Sequence, residues 1–306
     1  MSVGRVLAAA CVAVSACLLA ACAHDAPAPT GSPAAVPPEV AASPVAPTSV
    51  PAVRSPRPDH VVIVMLENKD EGDALRQGPY LASLAASGAS LTDMHAETHP
   101  SQPNYLALFS GGTQGVDDDS CPHTFAAGNL ASELTAAGYT FAGYSEDLPA
   151  TGFAGCVAGG YARKHSPWTN FRAVPASANQ PLSAMPTDYA ALPTISFVIP
   201  NLCHDMHDCS IAQGDAWLRQ NIDGYAQWAR THNSLLIVSF DESESQDDVD
   251  NHIATLAVGQ RVTRGAVTQR TDHYALLRTL EDLYSLPPLG HSAQATAIGA
   301  LWHAGP

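Results

Sequence analysis

The sequence predicts one α/β domain built on a mostly parallel sheet, and three observations carry that prediction. Continuous apolar, β-rich runs occur at 60–66, 139–144, 194–199 and 235–240, the pattern of strands buried on both faces. Segments with helix caps and stop signals alternate with these runs, as helices covering both faces of such a sheet require. Polar residues follow the runs closely: Glu67-Asn68, Glu146-Asp147, the stretch from Asp205 to Asp208, and Asp241-Glu242. In open parallel sheets, the carboxyl ends of the strands are where ligands bind.

The chain opens with Arg5 and an apolar run from Val6 to Leu19, too short and too rich in alanine to read as a membrane span. The run ends on Leu19-Ala20-Ala21-Cys22, which resembles the bacterial lipobox. Residues 1–21 are therefore expected to be a lipoprotein signal peptide and Cys22 its lipidated residue; a plain secretory signal would also export the chain. Residues 22–58 contain ten prolines, few charges and no aromatic residue, a composition that buries too little apolar surface to fold. They read as a tether holding the domain at 59–306 away from a membrane.

Within that domain, 60–66 is the first strand. A short helix at 80–86 stops at Gly88. A second helix begins at Ser101, carries Pro103 in its first turn and runs to Gly111-Gly112. Ser101 reads as a helix N-cap, where uncommitted backbone N–H groups suit an anion. Asn129 caps a helix closed by Gly138, and 139–144 is the next strand. Residues 152–183 form an irregular insertion carrying Arg163-Lys164-His165, whose basic pair can meet an anion or stay solvated. Strand 194–199 leads into the loop containing Asp205 and His207. Asp215 is expected to cap a helix reaching Arg230. Strand 235–240 ends on Asp241-Glu242, 254–258 adds a strand, and Asp272-His273 starts the last helix.

A formal net charge of −15 argues against a nucleic-acid backbone as partner. An anionic substrate would need local help from a metal or from histidines. Once Cys11, Cys17 and Cys22 are assigned to the signal and the anchor, four cysteines remain, Cys121, Cys156, Cys203 and Cys209. That even number in an exported chain points to disulfides. Of three pairings, Cys121 with Cys156 and Cys203 with Cys209 is favoured over the other two; zinc ligation is the rival, without a CxxC spacing to support it.

Glu67, Asn68, Asp241 and Glu242 offer hard oxygen ligands that, with the Ser101 hydroxyl, suit a divalent cation of undetermined identity. Such a cation would activate the serine. His165, His207 and His252 lie in polar segments and are candidates for phosphate contact or proton donation, with His99, His204 and His273 behind them.

Together these residues resemble a known family. Val64-Met65-Leu66-Glu67-Asn68-Lys69, Thr98-His99-Pro100-Ser101-Gln102-Pro103-Asn104-Tyr105, Lys164-His165-Ser166-Pro167, Asp205-Met206-His207-Asp208 and Ser239-Phe240-Asp241-Glu242 are similar to the bacterial phosphoesterase family of acid phosphatases and phospholipases C. That family belongs to the alkaline phosphatase superfamily. The resemblance implies a three-layer α/β/α sandwich, Ser101 as nucleophile, and Glu67, Asn68, Ser101, Asp241 and Glu242 as metal ligands. It makes His165 and His207 candidates for stabilising the phosphoryl group. Ser101-Gln102-Pro103-Asn104 also resembles the nucleophile turn of nucleotide pyrophosphatases; Asn104, Asp205 and His252 complete the candidate substrate contacts.

Asp70-Glu71 departs from the family, in which serine commonly follows Glu-Asn-Lys, and the chain lacks the C-terminal extensions of the large phospholipases. The expectation is an exported, metal-dependent acid phosphatase acting on small phosphomonoesters through a phosphoserine. The alternatives are a phospholipase C or other phosphodiesterase, and a surface lipoprotein that binds metal or phosphate without turnover. Oligomeric state is left open.

Overall fold

The structure, a computed structural model, describes residues 57–302. The proposed signal peptide, Cys22 and nearly all of the 22–58 tether lie outside the described residues.

Strand β1 (His60–Leu66) is followed by helices α1 (Glu71–Gln77) and α2 (Pro79–Ser87) and the short strands β2 (Ala89–Leu91) and β3 (Met94–His95). Helices α3 (Ser101–Ser110) and α4 (Leu130–Ala136) precede β4 (Phe141–Ser145). The insertion contains the hairpin strands β5 (Val157–Ala158) and β6 (Tyr161–Ala162), short 3₁₀ turns, and β7 (Asn179–Pro181). Then come β8 (Ile195–Ile199), α5 (Ile211–Ala229), β9 (Ser234–Phe240), β10 (Thr255–Gly259), β11 (Gly265–Val267), β12 (Thr271–Asp272) and α6 (His273–Tyr284).

Eight strands form one sheet in the order β11-β2-β10-β9-β1-β8-β4-β7. From β9 to β7 every pairing is parallel, whereas β10 runs antiparallel to both β9 and β2. Strands β1, β8 and β9 are apolar almost throughout and buried almost completely, because neighbouring strands and helical layers close every side of them. Helices α1, α2 and α5 pack on one another, with α2 and α5 also against β10. Helices α3 and α4 pack against α6 in a separate group. The result is the mostly parallel α/β sandwich that the alternation of elements predicts.

Three local expectations change. Ser101 is the first helical residue and Pro100 the N-cap, since a proline preceding the turn is already held in the extended conformation a cap needs. Asp215 does not cap α5; Ser210 does, in a capping box with Gln213. The buried Asp215 carboxylate instead accepts the N–H groups of Tyr80 at 3.0 Å and Leu81 at 2.8 Å, serving the first turn of α2. Helix α1, only seven residues long, carries too little apolar periodicity to be read from sequence.

The favoured disulfides are the ones formed. Cys121 joins Cys156 with Cα atoms 5.9 Å apart, and Cys203 joins Cys209 with Cα atoms 4.7 Å apart. Among the described residues, no helix is long and apolar enough to cross a membrane.

Candidate active site

Sheet register places the acidic residues side by side. Leu66 of β1 pairs with Phe240 of β9, and the Asp241 N–H continues the ladder to the Leu66 carbonyl at 3.0 Å. Glu67 and Asp241 therefore leave adjacent strands at the same level. The loop after β8 folds back onto this edge, for the Glu67 N–H donates to the Asp205 carbonyl at 2.8 Å. Within that loop, Met206 adopts φ 83°, a conformation rare for a side chain with a Cβ. Its buried side chain anchors the turn between Asp205 and His207.

The nucleophile candidate arrives from α3, which is buried along its whole length. Gly111 terminates that helix at φ 70°, and a Cβ there would meet the Leu289 carbonyl oxygen at 1.9 Å, so the stop requires glycine. Ser101 Oγ donates to Glu67 Oε2 at 2.9 Å and lies 3.2 Å from Glu242 Oε1. Asn68, at φ 31°, ties the pairs together: its N–H donates to Asp241 Oδ1 at 3.2 Å and its Nδ2 to Glu242 Oε1 at 2.5 Å. The structure thus gathers Ser101, Glu67, Asn68, Asp241 and Glu242 at one point.

Several histidines brace this cluster. His165 is fully enclosed, with Nε2 at 3.1 Å from Glu67 Oε1, though not aligned as a hydrogen bond, and Nδ1 at 3.4 Å from Asp205 Oδ2. Its ring stacks on Tyr105 at 5.1 Å. His207 lies 6.4 Å from the His165 ring, partly exposed, with Nδ1 bonded to Asp208 Oδ1 at 2.7 Å. His99 bonds Glu242 Oε2 through Nδ1, and His273 Nε2 bonds the Asp241 carbonyl at 2.8 Å.

Of the candidate substrate contacts, Asn104 is fully engaged by its own turn, whereas the buried Nε2 of His252 has no hydrogen-bond partner among the described residues. Asn104 Oδ1 accepts from the N–H groups of Glu97 and Thr98, and its Nδ2 donates to the carbonyls of Thr98 and Pro100. It shapes the turn that presents Ser101. His252 stacks on His95 at 5.1 Å, and no hydrogen bond among the described residues joins it to Ser101 or to the carboxylates around it. His204 bonds Glu146. Tyr105, a neighbour of the site, is absent from the sequence-derived candidates, whereas Lys164, a second neighbour, is read there only as half of a basic pair able to meet an anion. The i, i+4 spacing of Ser101 and Tyr105 was the available signal for the first.

Burial pushes the Glu67 and Asp241 carboxyls well above the usual range, and the neighbouring carboxylates push further in the same direction. Asp205 is pushed up to about 7, chiefly by burial. Burial also holds the His165 imidazolium form well below its ordinary range, so His165 supplies little positive charge. Among the described residues, no three His, Cys, Asp or Glu side chains form a ready metal cage. The site instead offers a mixed set of carboxylate, amide and hydroxyl oxygens. Asn68 Oδ1, Asp205 Oδ2 and Asp241 Oδ2 are buried without a hydrogen-bond donor. Orphaned hard acceptors amid excess negative charge fit a divalent cation.

Residues 72–287 match the Phosphoesterase family. The chain belongs to that family. It is a phosphoric-ester hydrolase by class, as its named relatives are phosphatases. It is 49% identical over 248 residues to a phosphatidylinositol-3-phosphatase of Mycobacterium tuberculosis, across 79% of this chain and 82% of that one. It is 30% identical over 251 residues to a phosphate-repressible acid phosphatase of Penicillium chrysogenum, across 76% of this chain but 60% of the longer fungal one. In fold it is similar to a solved alkaline phosphatase superfamily protein of Vibrio parahaemolyticus, with TM-score 0.53, 14% identity, and coverage of 83% of this chain and 75% of that one.

Proposed function

We propose that this phosphoesterase is an exported, divalent-metal-dependent acid phosphatase that cleaves phosphomonoesters through a phosphoserine on Ser101. The observation that carries the reading is the Ser101 hydroxyl bonded to Glu67 and beside Glu242 in a buried oxygen-rich cluster. Glu67, Asn68, Asp241, Glu242 and the Ser101 oxygen would hold the cation. Once bound, it lowers the serine pKa and offsets charge on the phosphoryl oxygens.

The Ser101 proton passes to Glu67 or Glu242 as Oγ forms its bond to phosphorus and the bond to the ester oxygen breaks. His207, oriented by Asp208, gives a proton to the departing oxygen. Water then attacks the phosphoserine, regenerating the hydroxyl and releasing phosphate. His165 lines the phosphoryl position, and Asp205 fixes the His207 backbone through the 2.8 Å bond from its N–H.

The mycobacterial relative favours a phosphoinositide monoester among possible substrates. The two disulfides support an oxidising compartment, and a lipidated Cys22 with the 22–58 tether would place the domain near such a lipid. The deciding experiment measures phosphate release from p-nitrophenyl phosphate, phosphatidylinositol 3-phosphate and phosphatidylcholine, with metal analysis of the purified chain. The expected result is monoester turnover, a phosphoserine trapped at low pH, and loss of activity in Ser101→Ala and Asp241→Asn. Wild-type rates in both variants would sink the proposal; preferential cleavage of phosphatidylcholine would favour the phospholipase reading.

A further inference from the structure

The first turn of α3 has few donors left for an anion. The Gln102 N–H donates to Asp119 Oδ1 at 2.9 Å, and Pro103 has none, so the helix end offers at most the Ser101 N–H. Asp119 uses its other oxygen to accept from Lys164 Nζ at 2.7 Å. The Gln102 side chain fastens the same loop, donating to the Ser120 carbonyl at 2.8 Å. One carboxylate thus straps the residue after the nucleophile to the residue before His165.

The two members of the basic pair have separate roles. Arg163 is spent on structure: its guanidinium donates to the carbonyls of Ala154 and Thr169 and to Thr169 Oγ1. Lys164 remains 18% exposed at the side chain, and its charge acts on Glu67, Asp205 and Asp241. An ammonium has three N–H donors and Asp119 engages one of them. The disulfide from Cys121, two residues beyond Asp119, reaches Cys156, whose carbonyl accepts the Arg163 N–H at 2.9 Å. Both ends of the strap are therefore anchored. A phosphoryl dianion approaching this acidic cluster needs positive charge placed beforehand, and the helix end does not provide it.

Resting on the phosphatase reading, we propose that Lys164 binds a nonbridging oxygen of the substrate phosphoryl group and that Asp119 is the positioning residue holding its ammonium beside Ser101. The test uses the full chain and inorganic phosphate, measured both as a competitive inhibitor of p-nitrophenyl phosphate hydrolysis and by calorimetric titration. Lys164→Met is expected to weaken phosphate binding by about tenfold or more, the size of one charge-assisted hydrogen bond. Lys164→Gln, which keeps a donor for Asp119 but not the charge, should weaken it similarly, while Lys164→Arg recovers most of it. Asp119→Asn should raise KM more than it lowers kcat, at an unchanged melting temperature.

Phosphate binding within twofold of wild type in Lys164→Gln, or in a folded Lys164→Met, overturns the assignment. If the wild-type enzyme is inactivated by Ser101→Ala yet indifferent to both lysine variants, only this inference fails. A wild-type chain that neither turns over a phosphoester nor binds phosphate removes the phosphatase reading with it.

Discussion

Ser101 and Tyr105, one helical turn apart on α3, donate to the two different oxygens of Glu67. Ser101 Oγ reaches Oε2 at 2.9 Å and the Tyr105 hydroxyl takes Oε1. The i, i+4 geometry puts both side chains on one face of the helix, so Glu67 is oriented by the same element that supplies the proposed nucleophile. Tyr105→Phe removes one donor from a buried carboxylate. Its expected effects are a loss of about 1–3 kcal/mol in stability and a roughly tenfold or greater fall in kcat/KM. Chemical denaturation and steady-state kinetics on the purified variant would check both, and unchanged kcat/KM would show that Glu67 needs no such orientation.

Stability without metal should depend on pH in a defined direction. Burial pushes Asp205 up to about 7 in the folded chain from an ordinary 3.8, and raises Glu67 and Asp241 as well. Between those values the native state holds more protons than the unfolded chain, so stability is greatest at the acid side and falls as pH rises toward about 7. Thermal melts in chelator should show this decline, and a divalent cation added at neutral pH should reverse it. Identical melting curves with and without cation at pH 7 would argue against a metal in this cluster.

Asp215 provides a stability prediction independent of catalysis. It accepts two N–H groups at the start of α2, which lie apart from the Ser101 cluster in the fold. Asp215→Ala should cost about 1–2 kcal/mol, as a lost helix cap does, with kcat/KM unchanged. Paired denaturation and activity measurements distinguish this from a role in the site.

The disulfides should contribute unequally. Cys121 and Cys156 are 35 residues apart, Cys203 and Cys209 only 6. On the loop-entropy model, replacing the first pair by serine should cost about 4 kcal/mol and the second about 2 kcal/mol. Denaturant midpoints of the two double variants would test the order, and a larger loss from the second pair would reverse it.

The sequence by itself determined the parallel strands, because an uninterrupted apolar run such as Val61–Leu66 has few stable destinations other than a sheet interior. It also determined which residues could do chemistry, since Glu67, Asp241 and Asp205 follow those runs, and strand polarity puts them at one sheet edge. Family motifs singled out Ser101 and His165 among many serines and histidines. Tertiary structure decided the contacts that depend on register and on loops returning to the site. Asp119 acquires its role only because one loop brings it between Gln102 and Lys164. Asp215 caps a helix remote in sequence, and Asn104 is used up by its own turn. These assignments depend on distances between segments far apart along the chain, which local pattern does not encode; the strands are legible because burial acts on each residue where it stands.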